Sequence, residues 1–303
     1  MWISGYSPHP IVIFERHDEQ VKTIVTVKET TELQSTENVT VGGHTVLFLK
    51  TPENCELYWD DQRVGFEIVV EYICELFTSV PSLFVVDPPL LWILTISNTR
   101  LPAVSVSSDM TKEPLFEYLP LSEEECVYLL KSFNSSFLSL STTFPEDFSY
   151  TGSFGIHESV NINDGSWITI DNLISIGETC TTIYLRKTKF TSTDFNLLMK
   201  SWFNHKVNAL RFLVVEADNF GTDAIFAGFE DELITVEGTM VCENYFGQTF
   251  EFPDDIKVLR RDDGMIATAA LHSIGPCISI WPNVDSVRAD EKGWYKLLPI
   301  DNL

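Results

Sequence analysis

Apolar residues recur along this chain with two periods. Between Cys180 and Glu216 the runs Cys180-Thr-Thr-Ile-Tyr-Leu185 and Leu210-Arg-Phe-Leu-Val-Val215 are short and β-branched or apolar, as buried parallel strands require. Between them Phe195, Leu198, Met199 and Trp202 stand at i, i+3, i+4 and i+7, one face of a helix. The spacing predicts strand, helix, strand, with Thr191 as N-cap and Asp194 where free N–H groups and the helix dipole favour a carboxylate. A similar helical stripe is formed by Phe66, Val69, Val70, Ile73, Cys74 and Phe77, stopped by Pro81. Another, Cys126, Leu129, Leu130 and Phe133, follows the capping box Ser122-Glu-Glu-Glu125. Helices are therefore expected over 66–77, 122–133 and 193–203.

A β-rich run follows each of these helices. The spacing L-x-x-L-x-L, by which leucine-rich repeats mark a strand and its turn, is met by Leu91, Leu94 and Ile96, by Cys180, Ile183 and Leu185, and by Leu210, Leu213 and Val215. The fold class this implies is α/β, an irregular leucine-rich-repeat-like helix–strand array with strands around Ile96, Leu185 and Val215 parallel in one sheet. Its ends are β-rich. Residues 11–57 read as antiparallel strands with a turn at Gly42-Gly43, and Ile256-Lys-Val-Leu-Arg260, the turn Asp262-Asp263-Gly264, Met265-Ile-Ala-Thr-Ala269 and Cys277-Ile-Ser-Ile-Trp281 read as a meander. The expected division is a β-rich segment 1–63, a helix–strand region 64–221 and a C-terminal meander 222–303, packed as one unit.

Several stretches carry a family resemblance. Trp167-Ile-Thr-Ile-Asp-Asn-Leu173, Lys189-Phe-Thr-Ser-Thr-Asp-Phe-Asn-Leu-Leu-Met-Lys-Ser-Trp-Phe203 and Asn208-Ala-Leu-Arg-Phe-Leu213 resemble the type-2 F-box-associated domain found in a large family of nematode F-box proteins. Glu71-Tyr-Ile-Cys-Glu-Leu-Phe77, Arg260-Arg-Asp-Asp-Gly-Met-Ile-Ala-Thr268 and Ile278-Ser-Ile-Trp281 fit the same pattern, so the resemblance runs over roughly residues 64–281. It implies the substrate-recognition part of an adaptor for a cullin-type ubiquitin ligase, whose F-box docks a Skp1-like protein while the associated domain captures a target. Residues before 60 read as strands and not as the compact helices of an F-box. Skp1-like adaptor binding is thus expected only if an F-box is supplied elsewhere, and the target protein stays unnamed.

Composition narrows the partner. A formal net charge of −24 over 303 residues opposes nucleic acid and anionic membrane, leaving a neutral or basic protein. The densest apolar run, Leu90 to Ile96, is far shorter than the roughly 20 residues of a membrane span, and the N-terminus lacks a signal-peptide pattern. The cysteines at 55, 74, 126, 180, 242 and 277 form no C-x-x-C pair, which suits reduced thiols in a cytoplasmic or nuclear protein.

The sequence offers no catalytic set. It lacks G-x-S-x-G, G-x-x-x-x-G-K and G-x-G-x-x-G, and His157-Glu158 has no second histidine at i+4 and reads as surface loop. Asn161-Ile-Asn-Asp-Gly-Ser166 places glycine one position early for a calcium loop and reads as a turn. Neither cofactor nor metal is expected. Arg260-Arg261 beside Asp262-Asp263 reads as a turn stabiliser, and Trp167 and Trp202 as core. If Ile183, Leu185, Leu213 and Val215 point inward, alternation sends Tyr184, Arg186, Val214 and Glu216 outward, with Thr95 and Ser97 as counterparts in the earlier strand. These six are the candidate protein-binding residues. A scaffold unrelated to ubiquitin transfer and an enzyme with dispersed residues are the alternative functions.

Overall fold

A computed structural model describes residues 2–6, 9–15, 22–32, 37–51, 54–77, 83–86, 88–95, 101–107, 121–132, 134–217, 220–236, 240–243, 249–252, 256–272, 275–281, 288–289 and 295–296. The chain divides into two units, residues 1–121 with 133–142, and residues 122–132 with 143–303.

The first unit is a mixed sheet of β1 (Trp2–Tyr6), β2 (His9–Glu15), β3 (Lys22–Glu29), β4 (Glu37–Val41), β5 (His44–Lys50), β6 (Asn54–Trp59), β7 (Leu83–Val86), β8 (Leu101–Ser107) and β9 (Ser135–Ser141). Their order is β9-β8-β7-β1-β2-β3-β6-β5-β4. The expected antiparallel pairing holds for β2–β3 and for β4–β5–β6; β1, outside the stretch read as strands, also pairs antiparallel with β2, and β3 lies parallel to β6. Gly42 and Gly43 take φ of +56° and +83°, the left-handed pair that a tight hairpin needs. Helix α1 (Gln62–Phe77) buries Phe66, Val69, Val70 and Ile73 as its stripe predicts and packs on β3 and β6.

The strand expected at Leu91 to Ile96 does not form. Pro88–Thr95 forms 3-10 turns that meet at a kink at Leu90 and bury Leu91, Ile93 and Leu94, and Ile96 lies outside the described residues. Pro88 and Pro89 have no N–H to give a ladder and their fixed φ starts a helical turn, so the apolar run coils. β7 lies parallel to β1 on one side and to β8 on the other, and β8 was not expected from the sequence. The chain is mixed α/β with many strands, and at this signature the leucine-rich-repeat-like arrangement is not borne out.

The second unit contains α2 (Glu123–Lys131), β10 (His157–Ile162), α3 (Ile170–Gly177), β11 (Thr182–Leu185), α4 (Ser192–Phe203), β12 (Phe212–Val215), α5 (Thr222–Ile225), β13 (Leu233–Val236), β14 (Met240–Glu243), β15 (Thr249–Glu251), β16 (Ile256–Arg260), β17 (Ile266–His272), β18 (Gly275–Trp281), β19 (Arg288–Ala289) and β20 (Tyr295–Lys296). Strands β10, β11 and β12 are parallel and joined through α3 and α4, and β12 then pairs antiparallel with β18 of the meander β16–β17–β18. The expected parallel pairing of 183–185 with 213–215 is present. A small second sheet runs β15-β14-β20-β19.

Local signals set the helices. Ser122 and Glu125 form the predicted capping box, and the Thr191 N–H donates to Asp194 Oδ2 at 2.8 Å. Helix α3, absent from the sequence reading, is capped by Thr169 and Asn172; the Thr169 N–H donates to Asn172 Oδ1 at 3.0 Å, and Asn172 Nδ2 donates to Tyr150 O at 2.7 Å. His157, expected in a surface loop, begins β10 and is buried, because Val160 and Ile162 draw that strand into the core. Trp167 packs among Phe144 and Phe148, and Trp202 is fully buried on α4, both in the core as read.

The buried Arg261 ties the meander to α4. Its guanidinium meets both Asp263 carboxylate oxygens, at 3.0 and 2.7 Å, and donates to Trp202 O at 2.9 Å and Asn208 Oδ1 at 3.1 Å, with the Trp202 ring 4.9 Å from the guanidinium carbon. Its role is wider than a turn stabiliser, since it also neutralises the negative end of a helix. Arg261→Ala is expected to lower the unfolding free energy by about 3 kcal/mol, because it leaves the buried Trp202 carbonyl without its donor and opens a void against the Trp202 ring. Urea denaturation checks this, and a loss below about 1 kcal/mol would mean that the turn holds without the bridge.

Candidate functional site

Strands β10 to β12 form the centre of the second unit, and the fate of their two faces decides where a site can lie. On one face Val160, Ile162, Ile183, Leu185, Leu213 and Val215 are buried to within 3%. On the other, cross-strand register aligns Asn161, Tyr184, Val214 and Cys277, and likewise Thr182, Phe212 and Ser279. This face is also covered. Phe250 and Phe252 close over it, with the Phe250 ring 4.8 Å from Phe212 and Phe252 5.5 Å from Trp281, in one core with Val214, Val236 and Val258.

The candidate residues therefore do not share a solvent face. Val214 is only 6% exposed, which corrects its expected outward position, and Tyr184 is partly buried with its ring edge-on to Phe212 at 6.0 Å. The physical reason is the run Phe212-Leu213-Val214-Val215, apolar at both parities, so burial on both faces removes apolar area from water where one-sided burial would leave Phe212 and Val214 wet. Thr95 ends the 3-10 helix and not a strand, and Ser97 lies outside the described residues.

Arg186 and Glu216 are exposed, and they come together for another reason: each follows the last residue of its strand. The backbone there is pinned. Arg186 N–H donates to Ile162 O at 2.9 Å, Gly165 N–H to Arg186 O at 2.8 Å, and Glu216 N–H to Leu185 O at 2.8 Å. Glu216 Oε2 accepts from Lys187 N–H at 3.2 Å, and Thr188 Oγ1 donates to Glu216 O at 2.7 Å. Lys187 takes the left-handed φ of +51°, and a Cβ on Gly165 would come within 2.9 Å of Arg186 O, so only glycine lets the two loops close up. Asp164, whose Oδ1 accepts from Ser166 Oγ at 2.9 Å, belongs to the same edge. The Arg186 guanidinium has no ion pair or side-chain hydrogen bond among the described residues. The result is a fixed ledge at the carboxyl ends of parallel strands, where open α/β sheets place their ligand sites, carrying Arg186, Lys187, Asp164 and Glu216. Sequence alternation located Arg186 and Glu216, but Asp164, Lys187 and Gly165 become visible only through strand register.

Other chemistry is sparse. Among the described residues no group of three or more His, Cys, Asp or Glu is arranged to hold a metal ion, and no helix is long and apolar enough to cross a membrane. Cys126 and Cys180 are buried, and desolvation pushes both thiols up to about 12, so they stay protonated and unreactive. His272 lies edge-on to both Phe250 and Phe252, and burial lowers its pKa.

The parallel core also carries the match to known proteins. Residues 154–215, from just before β10 to the last residue of β12, match the model of a family described as F-box associated, while an F-box itself is not detected. That family is a protein-interaction domain. No curated protein matches the chain.

Two outcomes follow. Val214→Asp should cost about 3 kcal/mol or more by burying an unpaired charge, and Arg186→Ala should change stability by about 0.5 kcal/mol or less; thermal melts that reverse this order would reassign the faces. His272 is favoured neutral by the fold, so its contribution is fully present above the ordinary histidine pKa of about 6.5 and is lost as pH falls below that value toward the lowered pKa of the folded state. The melting temperature should accordingly drop on acidification to about pH 5.5, and by less in His272→Phe; equal drops would show that the imidazole is not responsible.

Proposed function

We propose that this chain captures a target protein as the recognition part of an F-box-type adaptor of a cullin-type ubiquitin ligase, in the cytoplasm or nucleus, and catalyses no reaction itself. The match of residues 154–215 to the F-box associated family carries this reading, since it coincides with the β10–β12 core whose strand ends hold the exposed ledge. Target contact is assigned to Arg186 and Glu216, with Tyr184 beneath them as a partly buried support. Rigid backbone at these loops lowers the entropy that binding would otherwise cost. The net charge of −24 favours a neutral or basic target over nucleic acid or an anionic membrane. A Skp1-like adaptor joins only through an F-box supplied elsewhere.

Affinity purification of the tagged chain from its own cells, with mass spectrometry, tests this reading. A target should be recovered stoichiometrically, and Arg186→Ala should weaken it by about thirtyfold at an unchanged melting temperature, the scale of losing one interface anchor. Three results would overturn the proposal: direct binding of a Skp1-like protein by the purified chain, turnover of a small-molecule substrate, or target binding unchanged when Tyr184, Arg186 and Glu216 are replaced together.

A further inference from the structure

Outside the residues of the strand-end ledge, the second unit has a preformed cavity of about 450 Å³ between α5 with its following turn and the sheet of β13, β16 and β17. This volume is in the range of sites that enclose a bound group. It exists because of side-chain size. Ala269, beside Lys257 and Leu271 in the lining, is too small to fill the space shared with Phe226. Leu233 and Ile256 extend the apolar wall. At the mouth Leu271 is 69% exposed, a large apolar side chain standing in water beside an open cavity.

The rim is acidic. Asp223 and Glu230 stand on the helical side against Lys257 on the sheet, and neither carboxylate forms an ion pair among the described residues. Glu230 Oε1 accepts from the Gly228 N–H at 3.0 Å, which fixes the carboxylate in place and holds its pKa below the usual range. An apolar recess bordered by excess negative charge, on a chain of net charge −24, is complementary to a large apolar side chain carried beside a cation.

We propose that this cavity binds an extended peptide segment through one large apolar side chain flanked by Lys or Arg. The apolar group fills the space over Ala269 against Phe226 and Leu271, and the flanking cation lies against Asp223 and Glu230. The site shares no residue with the Arg186–Glu216 ledge, although β17 ends at the same edge of the sheet as β12, and its test by peptide binding is distinct from that of the target-capture reading.

The test uses the full-length chain and a pool of labelled, acetylated heptapeptides with Leu, Ile, Met, Phe or Trp at the centre and Lys or Arg on both sides, followed by fluorescence anisotropy. Saturable binding is expected, with about tenfold loss in Ala269→Leu, which fills the recess, and in Leu271→Asp, which charges its mouth. Leu271 is exposed, so that variant keeps the experiment decisive if Ala269→Leu does not fold. Asp223→Lys with Glu230→Lys should reverse the preference toward a pool flanked by Glu. The proposal is overturned by absence of saturable binding up to about 1 mM, by equal binding of pools with Ser at the centre or Glu at the flanks, or by undiminished binding in folded Leu271→Asp. Loss of peptide binding in Arg186→Ala would also overturn it, by moving the peptide to the strand ends.

Discussion

The second unit depends on one buried cation. Arg261 sits in the turn of the β16–β17 hairpin, yet two of its acceptors, Trp202 O and Asn208 Oδ1, belong to the end of α4 and the segment leading into β12. A buried guanidinium is costly unless its donors are met. Here Asp263 supplies the counter-charge and the helix terminus supplies the carbonyl, and the Trp202 ring covers one face. The antiparallel meander is thereby fastened to the family-matched parallel core at the end opposite the strand-end ledge, with β12–β18 pairing as the second connection. His205 and Asp262 add a 2.8 Å pair at the surface of the same joint, where solvent screening leaves little energy in it.

Fastening the meander there has consequences for function. It extends the sheet beyond β12 and supplies the platform under Phe250 and Phe252, which closes the sheet face that a one-sided array would have left for binding. Recognition is displaced to what stays open: the carboxyl ends of β10, β11 and β12, and the recess beside α5. Both are made of rigid pieces. The ledge is fixed by backbone hydrogen bonds between neighbouring loops, and the recess by alanines in a strand buried in the sheet. A pre-shaped surface suits capture of a protein segment, because little ordering entropy is left to spend on contact.

Much of this fold was legible in local sequence. The stripe of α4, its Thr191 and Asp194 cap, the capping box of α2, the parallel pairing of β11 with β12, and the Asp262-Asp263-Gly264 hairpin with Gly264 at φ +87° all follow from short-range rules. The caps, the stripe and the hairpin are settled by residues within about one turn or one strand, where propensity, capping and periodicity act, and the β11–β12 pairing by the crossover that α4 supplies between them. Helix α3 was also within reach, since Thr169 and Asn172 are a cap pair, though the run behind them is only eight residues long.

What tertiary structure alone decided is which surfaces survive. A strand whose residues are all apolar has no period, so Phe212 to Val215 says that both faces are buried without saying by what; the cover, Phe250 and Phe252, arrives from far along the chain. The run Leu91 to Thr95 met a strand spacing and became a 3-10 helix, because two preceding prolines and the pairing of β7 with β8 outweighed a spacing that apolar residues satisfy in either conformation. The ledge and the recess exist through contacts between distant segments, Gly165 against Arg186 and Ala269 with Lys257 and Phe226 around one cavity. Local sequence chose the elements, and the burial of apolar area between segments distant in the chain chose the faces left to meet a partner.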